Sequence, residues 1–229
     1  MAFFYKISRY MKHKKAVFIT IEGCEGCGKT TQSELLKKYL ESKGVTVILT
    51  REPGGSVVAE QVRNILLNPD FVVDPYCELM LYEASRAQHL KDIIKPNLEK
   101  GNVVICDRFT DSTLAYQGYA RGIDKNIINK LNNIATSGLK PDLTIYLDIN
   151  PNKGIKKAKT VNKGKLTGGD RIERESLKFH NNVRKGFLEL TKKYPKRIKK
   201  VKTSEIIEKT QKEINKEIDK FFKKKKIYV

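Results

Sequence analysis

Gly23-Cys24-Glu25-Gly26-Cys27-Gly28-Lys29-Thr30 decides how this chain is read. It fits G-x-x-x-x-G-K-[ST], and its flanks fit as well. Ala16–Ile21 before it is a short apolar, β-branched run, the pattern of a buried strand. Helical spacing follows from Lys29 to Ser42, with Leu35, Leu36, Tyr39 and Leu40 on one side. A glycine-rich turn between strand and helix lets backbone N–H groups turn inward around phosphate oxygens. The helix N-terminus adds its partial positive charge. Gly23, Cys24, Glu25, Gly26, Cys27, Gly28, Lys29, Thr30 and Thr31 are therefore read as an ATP-binding loop. Lys29 would reach the β- and γ-phosphates, and the Thr30 hydroxyl would bind Mg²⁺.

Working outward, strands are expected at 45–49, 102–106, 143–149 and 197–201. Helices are expected at 57–67, 75–100 with a bend near Pro96, 124–136, 171–193 and 204–226. The last helix would carry Ile207, Ile214, Ile218 and Phe221 as its apolar stripe, and 222–229 would fray. Residues 151–169, rich in Lys and Gly, read as a mobile segment. Strands alternating with helices imply an α/β architecture, a central parallel sheet covered on both faces. Such sheets bind ligands at the carboxyl ends of their strands. Val103–Asp107 delivers a carboxylate to that edge, followed by Arg108. Asp107 is thus a candidate acid beside magnesium, and Arg108 a cation beside transferred phosphate. Asp148 ends a strand in the same way and is read as a structural acid.

The 229 residues fit one domain, 15–229, preceded by a basic arm, 1–14. Met11 is read as an alternative start. No apolar run is long enough for a membrane span. The net charge of +20 is uneven. Residues 1–15 carry +5, residues 16–150 carry 15 basic against 17 acidic groups, and residues 151–229 carry 26 basic against 9. Only 10 of the 46 basic residues are Arg, so the excess reads as a solvated Lys surface rather than a base-reading one. Cys24-x-x-Cys27 lacks a second ligand pair, which argues against zinc. Free thiols fit a reducing, cytoplasmic setting.

Six segments together resemble bacterial-type thymidylate kinase: IEGCEGCGKTTQ (21–32), TREPGG (50–55), LYEASRAQHL (81–90), CDRFTDSTLAYQG (106–118), PDLTIYLD (141–148) and DRIERESLKFH (170–180). The resemblance implies a P-loop NTPase three-layer fold with a central five-stranded parallel sheet and a short lid at about 151–170. It implies transfer of a γ-phosphoryl group from MgATP to dTMP, with Lys29, Arg108, Asp107 and Glu25 as the catalytic set. Glu25 would meet the deoxyribose 3′-hydroxyl, and Arg51 and Arg108 would hold the acceptor phosphate. Tyr82 would stack on thymine, Arg86, Thr113 and Gln117 would bond its edge, and Tyr116 would sit under the sugar. Thr30 and Asp107 would serve the metal. It further implies a homodimer.

One family feature is missing. Relatives draw a catalytic cation from an Arg in the loop or from an Arg in the lid. Here the loop position is Gly26, and 163–169 contains no Arg. Lys163, Lys165 and Arg171 are the candidates instead. Another nucleoside or nucleotide kinase is the alternative within enzymes. A nucleic-acid-binding P-loop ATPase is the alternative outside kinases, although no aromatic residues interleave the Lys of 151–170.

Overall fold

The computed structural model describes residues 16–161 and 169–227. Five parallel strands form one sheet: β1 (Val17–Gly23), β2 (Val47–Arg51), β3 (Val103–Asp107), β4 (Leu143–Asp148) and β5 (Ile198–Lys202), in the order β2-β3-β1-β4-β5. β1 lies at the centre, flanked by β3 and β4, with Ile21 level with Asp107 and Gly23 level with Leu147. The phosphate loop thus leaves the sheet beside the ends of two other strands.

Both sheet faces are buried, and alternation along each strand divides them. Val17, Ile19 and Ile21 pack with Ile105, Ile145 and Leu147 against Leu36 and Leu40 of α1 (Lys29–Glu41) and Ile214, Ile218 and Phe222 of α9 (Ile207–Lys225). On the other face, Phe18 meets Phe109 edge-on at 4.9 Å. Tyr146 stacks on Phe187 of α8 (Leu177–Lys193) at 5.0 Å. Both C-terminal expectations are corrected here. Phe222 joins the inward stripe of α9, with Phe221 partly buried against its edge and Ile207 exposed, and the helix runs on to Lys225 instead of fraying from 222. A tail sealed by buried Phe222 and Ile227 gains apolar burial that offsets its chain entropy.

The helices of the middle third are α2 (Val57–Leu67), α3 (Pro75–His89), α4 (Lys95–Glu99), α5 (Thr110–Thr113) and α6 (Lys125–Ala135). Asp74 caps α3 by accepting from the Tyr76 and Cys77 amides. The expected long helix is indeed interrupted near Pro96. A wide π turn, Leu90–Ile94, separates α3 from α4, and Pro96 lies at the start of α4 because it has no N–H to bond one turn back.

Two expectations are corrected, and one stretch without an expectation proves helical. Residues 110–120 form α5 followed by a π-helical segment, Leu114–Ala120. This stretch shows no amphipathic stripe because residues 111–118 are buried all round. Residues Pro151–Val161 form helix α7 rather than a mobile segment. Asn150 accepts the Asn152 amide at its start, and among the described side chains Pro151, Gly154 and Ala158 are buried, too narrow a stripe to show as periodicity. The helix expected from 171 begins at Leu177, capped by Ser176. Asp170 instead folds 170–173 into a turn by accepting the Ile172 and Glu173 amides. The arm 1–14 and the lid candidates Lys163 and Lys165 lie outside the described residues.

Candidate active site

A cleft of about 530 Å³ runs from the phosphate loop along the carboxyl edge of the sheet to Tyr82, Arg86 and Gln117. At its loop end, Gly26 and Gly28 have φ of 67° and 91°, a left-handed conformation open to glycine at little cost. Gly26 has a second reason to be glycine. A side chain there would collide with the backbone carbonyl of Gly154, and one at Gly154 would collide with the carbonyl of Glu25. The loop and α7 touch backbone to backbone, so this loop has no room for an Arg at Gly26.

Lys29 is buried and donates to the Cys24 carbonyl at 3.1 Å, folded over the loop. Burial pushes the thiols of Cys24 and Cys27 up, so they stay protonated. The Thr30 hydroxyl donates to Asp107 Oδ2 at 2.9 Å. Asp107 Oδ1 is buried and has no hydrogen-bond partner. A carboxylate oxygen left unpaired beside a hydroxyl, at the mouth of the glycine loop, suits a hard divalent cation.

Arg108, at φ 72°, links the loop to the cleft wall. Its Nη1 donates to the Gly23 carbonyl and to Tyr116 Oη, both at 3.0 Å, and its Nη2 donates to Glu25 Oε1 at 2.7 Å. Tyr116 Oη donates to the Glu25 carboxylate at 2.8 Å. Burial opposes ionisation of Glu25, but Arg108, His180 and Lys29 outweigh it and hold its carboxyl well below the usual carboxylate range. The strained turn at Arg108 is pinned from behind by Glu22. Its carboxylate accepts the Phe109 amide at 2.8 Å and the Ser112 hydroxyl at 2.5 Å. Burial, with neighbouring Asp111, raises the Glu22 pKa to about 8.

The inner end is lined by charge that is already paired. Arg86 is 2% exposed; its Nε donates to Glu52 Oε2 and its Nη1 to Glu83 Oε1 and Asn132 Oδ1, each at 2.8 Å. Buried Glu78 accepts from Gln117 Nε2 at 2.8 Å and pairs with Arg121 at 3.0 Å and Arg171 at 2.6 Å. Tyr82 is half-buried on the wall, and Thr113 Oγ1 is buried without a partner. Arg51 is exposed and pairs with Glu60 at 2.9 Å.

Every residue read from sequence as a nucleotide contact among Glu25, Arg51, Tyr82, Arg86, Arg108, Thr113, Tyr116 and Gln117 lines this one cleft, as does Asp107. Arg171 does not. Its Nε donates to the Leu66 carbonyl at 2.8 Å and its Nη1 pairs with Glu78, while Nη2 has no hydrogen-bond partner, so it ties the end of α2 to the turn at 170–173. Asp148 pairs with Arg184 at 2.8 Å, in keeping with its reading as a structural acid. Sequence reasoning missed Arg63, Lys157, Asp170 and His180. Arg63 lies on the wall near Arg51, where burial and that neighbour lower its pKa. Lys157 is exposed on α7 and faces the cleft. Its signal was its place one turn after Gly154.

A phosphate loop on the central strand, an Asp-Arg on the next strand, and a polar pocket in the same cleft define a P-loop phosphotransferase acting on a second small molecule. The comparisons with known proteins narrow that class. The family model described as thymidylate kinase matches residues 21–214. A thymidylate kinase of Clostridium novyi is 46% identical over 87% of this chain and 97% of its own length. One of Gloeobacter violaceus is 46% identical over 90% of this chain and 95% of its own. The crystal structure of an Ehrlichia chaffeensis thymidylate kinase superposes with a TM-score of 0.73 at 39% identity, covering 89% of this chain and 98% of that one. The chain belongs to the thymidylate kinase family, and it is a phosphotransferase that makes dTDP from dTMP.

Proposed function

We propose that this cleft carries ATP-dependent phosphorylation of dTMP, with the donor triphosphate at the loop and the acceptor base at the inner end. The observation that supports it best is the continuity of one cleft from Lys29 to Gln117. Lys29 and the loop amides stabilise the transferring phosphoryl group, a reaction that depends chiefly on positioning and charge. Arg108 and Arg51 approach the acceptor phosphate. Arg86, Thr113 and Gln117 present fixed polar groups to the base edge, and a buried polar site rejects a ligand that cannot complete its bonds. Glu25, held ionised, accepts from the sugar 3′-hydroxyl. Thr30 and Asp107 are the residues that would hold Mg²⁺, and the unpaired Asp107 Oδ1 fits that role. When bound, the ion neutralises charge on the phosphates.

The test is ADP release across a panel of acceptors with MgATP. dTMP is expected to give the highest kcat/KM, and the activity is expected to vanish in EDTA and return with Mg²⁺. Equal turnover of nucleosides, or ADP release independent of any acceptor, would overturn the reading.

The proposed assembly is a homodimer. Val58 and Ile65 of α2, Tyr76 and Met80 of α3, and Ile127 and Ile134 of α6 are exposed at spacings that put each pair on one helix face. Apolar exposure on three adjoining helices suits a partner surface. Sedimentation of wild type and Met80→Lys tests it: the wild type is expected to be dimeric and the variant to dissociate. Among the described residues no helix is long and apolar enough to cross a membrane, and the four cysteines are free, as a reducing cytoplasm would keep them.

A further inference from the structure

His180 is 1% exposed, on the first turn of α8, and neither ring nitrogen has a hydrogen-bond partner. A buried polar group left unpaired is costly, and a native site that tolerates one usually has a use for it. The imidazole is aimed at one acceptor. Its Nδ1 stands 3.4 Å from Glu25 Oε2, close enough to interact but outside hydrogen-bond geometry. The other Glu25 oxygen takes the Arg108 bond at 2.7 Å, and Tyr116 Oη bridges both oxygens. Glu25 is therefore approached from three elements: the turn after β3, the π-helical segment and α8. The His180 ring is itself fixed, edge-on to Phe179 at 5.5 Å, and Phe179 packs edge-on to Tyr116 at 6.1 Å. The ring that steadies Tyr116 and the imidazole that faces Glu25 are thus neighbours on one helix.

We propose that His180 is a positioning residue for Glu25, donating from Nδ1 to Oε2 when the acceptor sugar seats and fixing which lone pairs of the carboxylate face the 3′-hydroxyl. Hydrogen bonds at active sites are often long without substrate and tighten in the complex. The proposal rests on the reading of Glu25 as the 3′-hydroxyl partner. It goes beyond that reading in assigning the orientation of Glu25 to a residue that does not line the cleft.

The experiment compares dTMP with its 3′-deoxy analogue as acceptor, in wild type, Glu25→Gln, His180→Leu and His180→Asn, with melting temperatures alongside. Asn places an amide N–H near the position of Nδ1; Leu fills space without a donor. In wild type, dTMP is expected to be preferred in kcat/KM. Glu25→Gln is expected to erase that preference. His180→Leu is expected to reduce it about tenfold through KM for dTMP, the scale of one hydrogen bond to a charged group, with KM for ATP unchanged. His180→Asn is expected to restore most of it. If Glu25→Gln keeps the preference, the assignment of Glu25 fails. If Glu25→Gln erases it while His180→Leu matches wild type, the positioning role is overturned. If His180→Leu does not fold, His180→Asn is compared with His180→Gln, whose longer amide misplaces the donor. Equal preference in those two also overturns the proposal.

Discussion

At the inner end of the cleft, the cations are held by carboxylates: Arg86 by Glu52 and Glu83, with Asn132 beside them, and Arg121 and Arg171 by Glu78, which also takes Gln117, although Glu83 Oε2 and Asn132 Nδ2 keep no partner. At the loop end, Lys29 rests on a carbonyl, Lys157 stands exposed, and one oxygen of Asp107 has no partner. The difference follows from what each end must hold. On the proposed reading, a flat, nearly neutral ring meets groups that cannot move, whose charges are locked to each other and buried. A polyanion brings its own charge, so the groups that meet it are left with capacity to spare. Under the proposed function the inner end would thus contribute to stability as well as recognition, whereas the loop end would serve turnover.

The sharpest way to break this contrast is to remove one charge from each end. Arg86→Met leaves Glu52 and Glu83 buried without their cation, a loss of about 3–5 kcal/mol. A thermal melt is expected to show it as a large drop in Tm. Lys29→Ala is expected to cut kcat by about 10²–10³-fold, the scale of one lost transition-state donor, with Tm nearly unchanged. A small Tm change for Arg86→Met, or a large one for Lys29→Ala, would dissolve the distinction.

Glu22 lies between the two ends and sharpens the contrast through pH. Its folded pKa, about 8, is above the unfolded value, so the native state binds the extra proton between about pH 4.5 and 8. Its contribution is complete below that window and is lost as pH rises through it. Glu22→Gln cannot titrate and is expected to lose less stability from pH 5 to 9, by on the order of 4 kcal/mol in urea unfolding. Parallel pH profiles would assign the slope elsewhere. The smallest effect is expected from Gly154→Ala. Its methyl group meets the Glu25 carbonyl, so α7 must shift off the loop at about 1 kcal/mol or more. KM for ATP is expected to rise severalfold while Tm stays within a few degrees.

Much of this site is legible in the chain because its chemistry is local. The loop glycines, Lys29 and Thr30 are contiguous, and Asp107-Arg108 directly ends a strand. The strands were equally legible, since short β-branched runs between turn residues have few other uses. The helical segments at 110–120 and 151–161 were not. The first is buried on every side, and the second, among its described side chains, buries Pro151, Gly154 and Ala158. Neither produces the half-apolar pattern from which helices are read.

The sequence by itself determined the class of fold, the phosphate loop and, through six separated segments, the family. Tertiary structure alone decided how the cations are used. Arg171 is bound to Glu78, Arg63 and Lys157 face the cleft, and His180 stands against Glu25 from 155 positions away. A guanidinium or imidazole has the same composition wherever it lies. Its role comes from the partners that folding sets within a few ångströms, and those partners are distant in sequence.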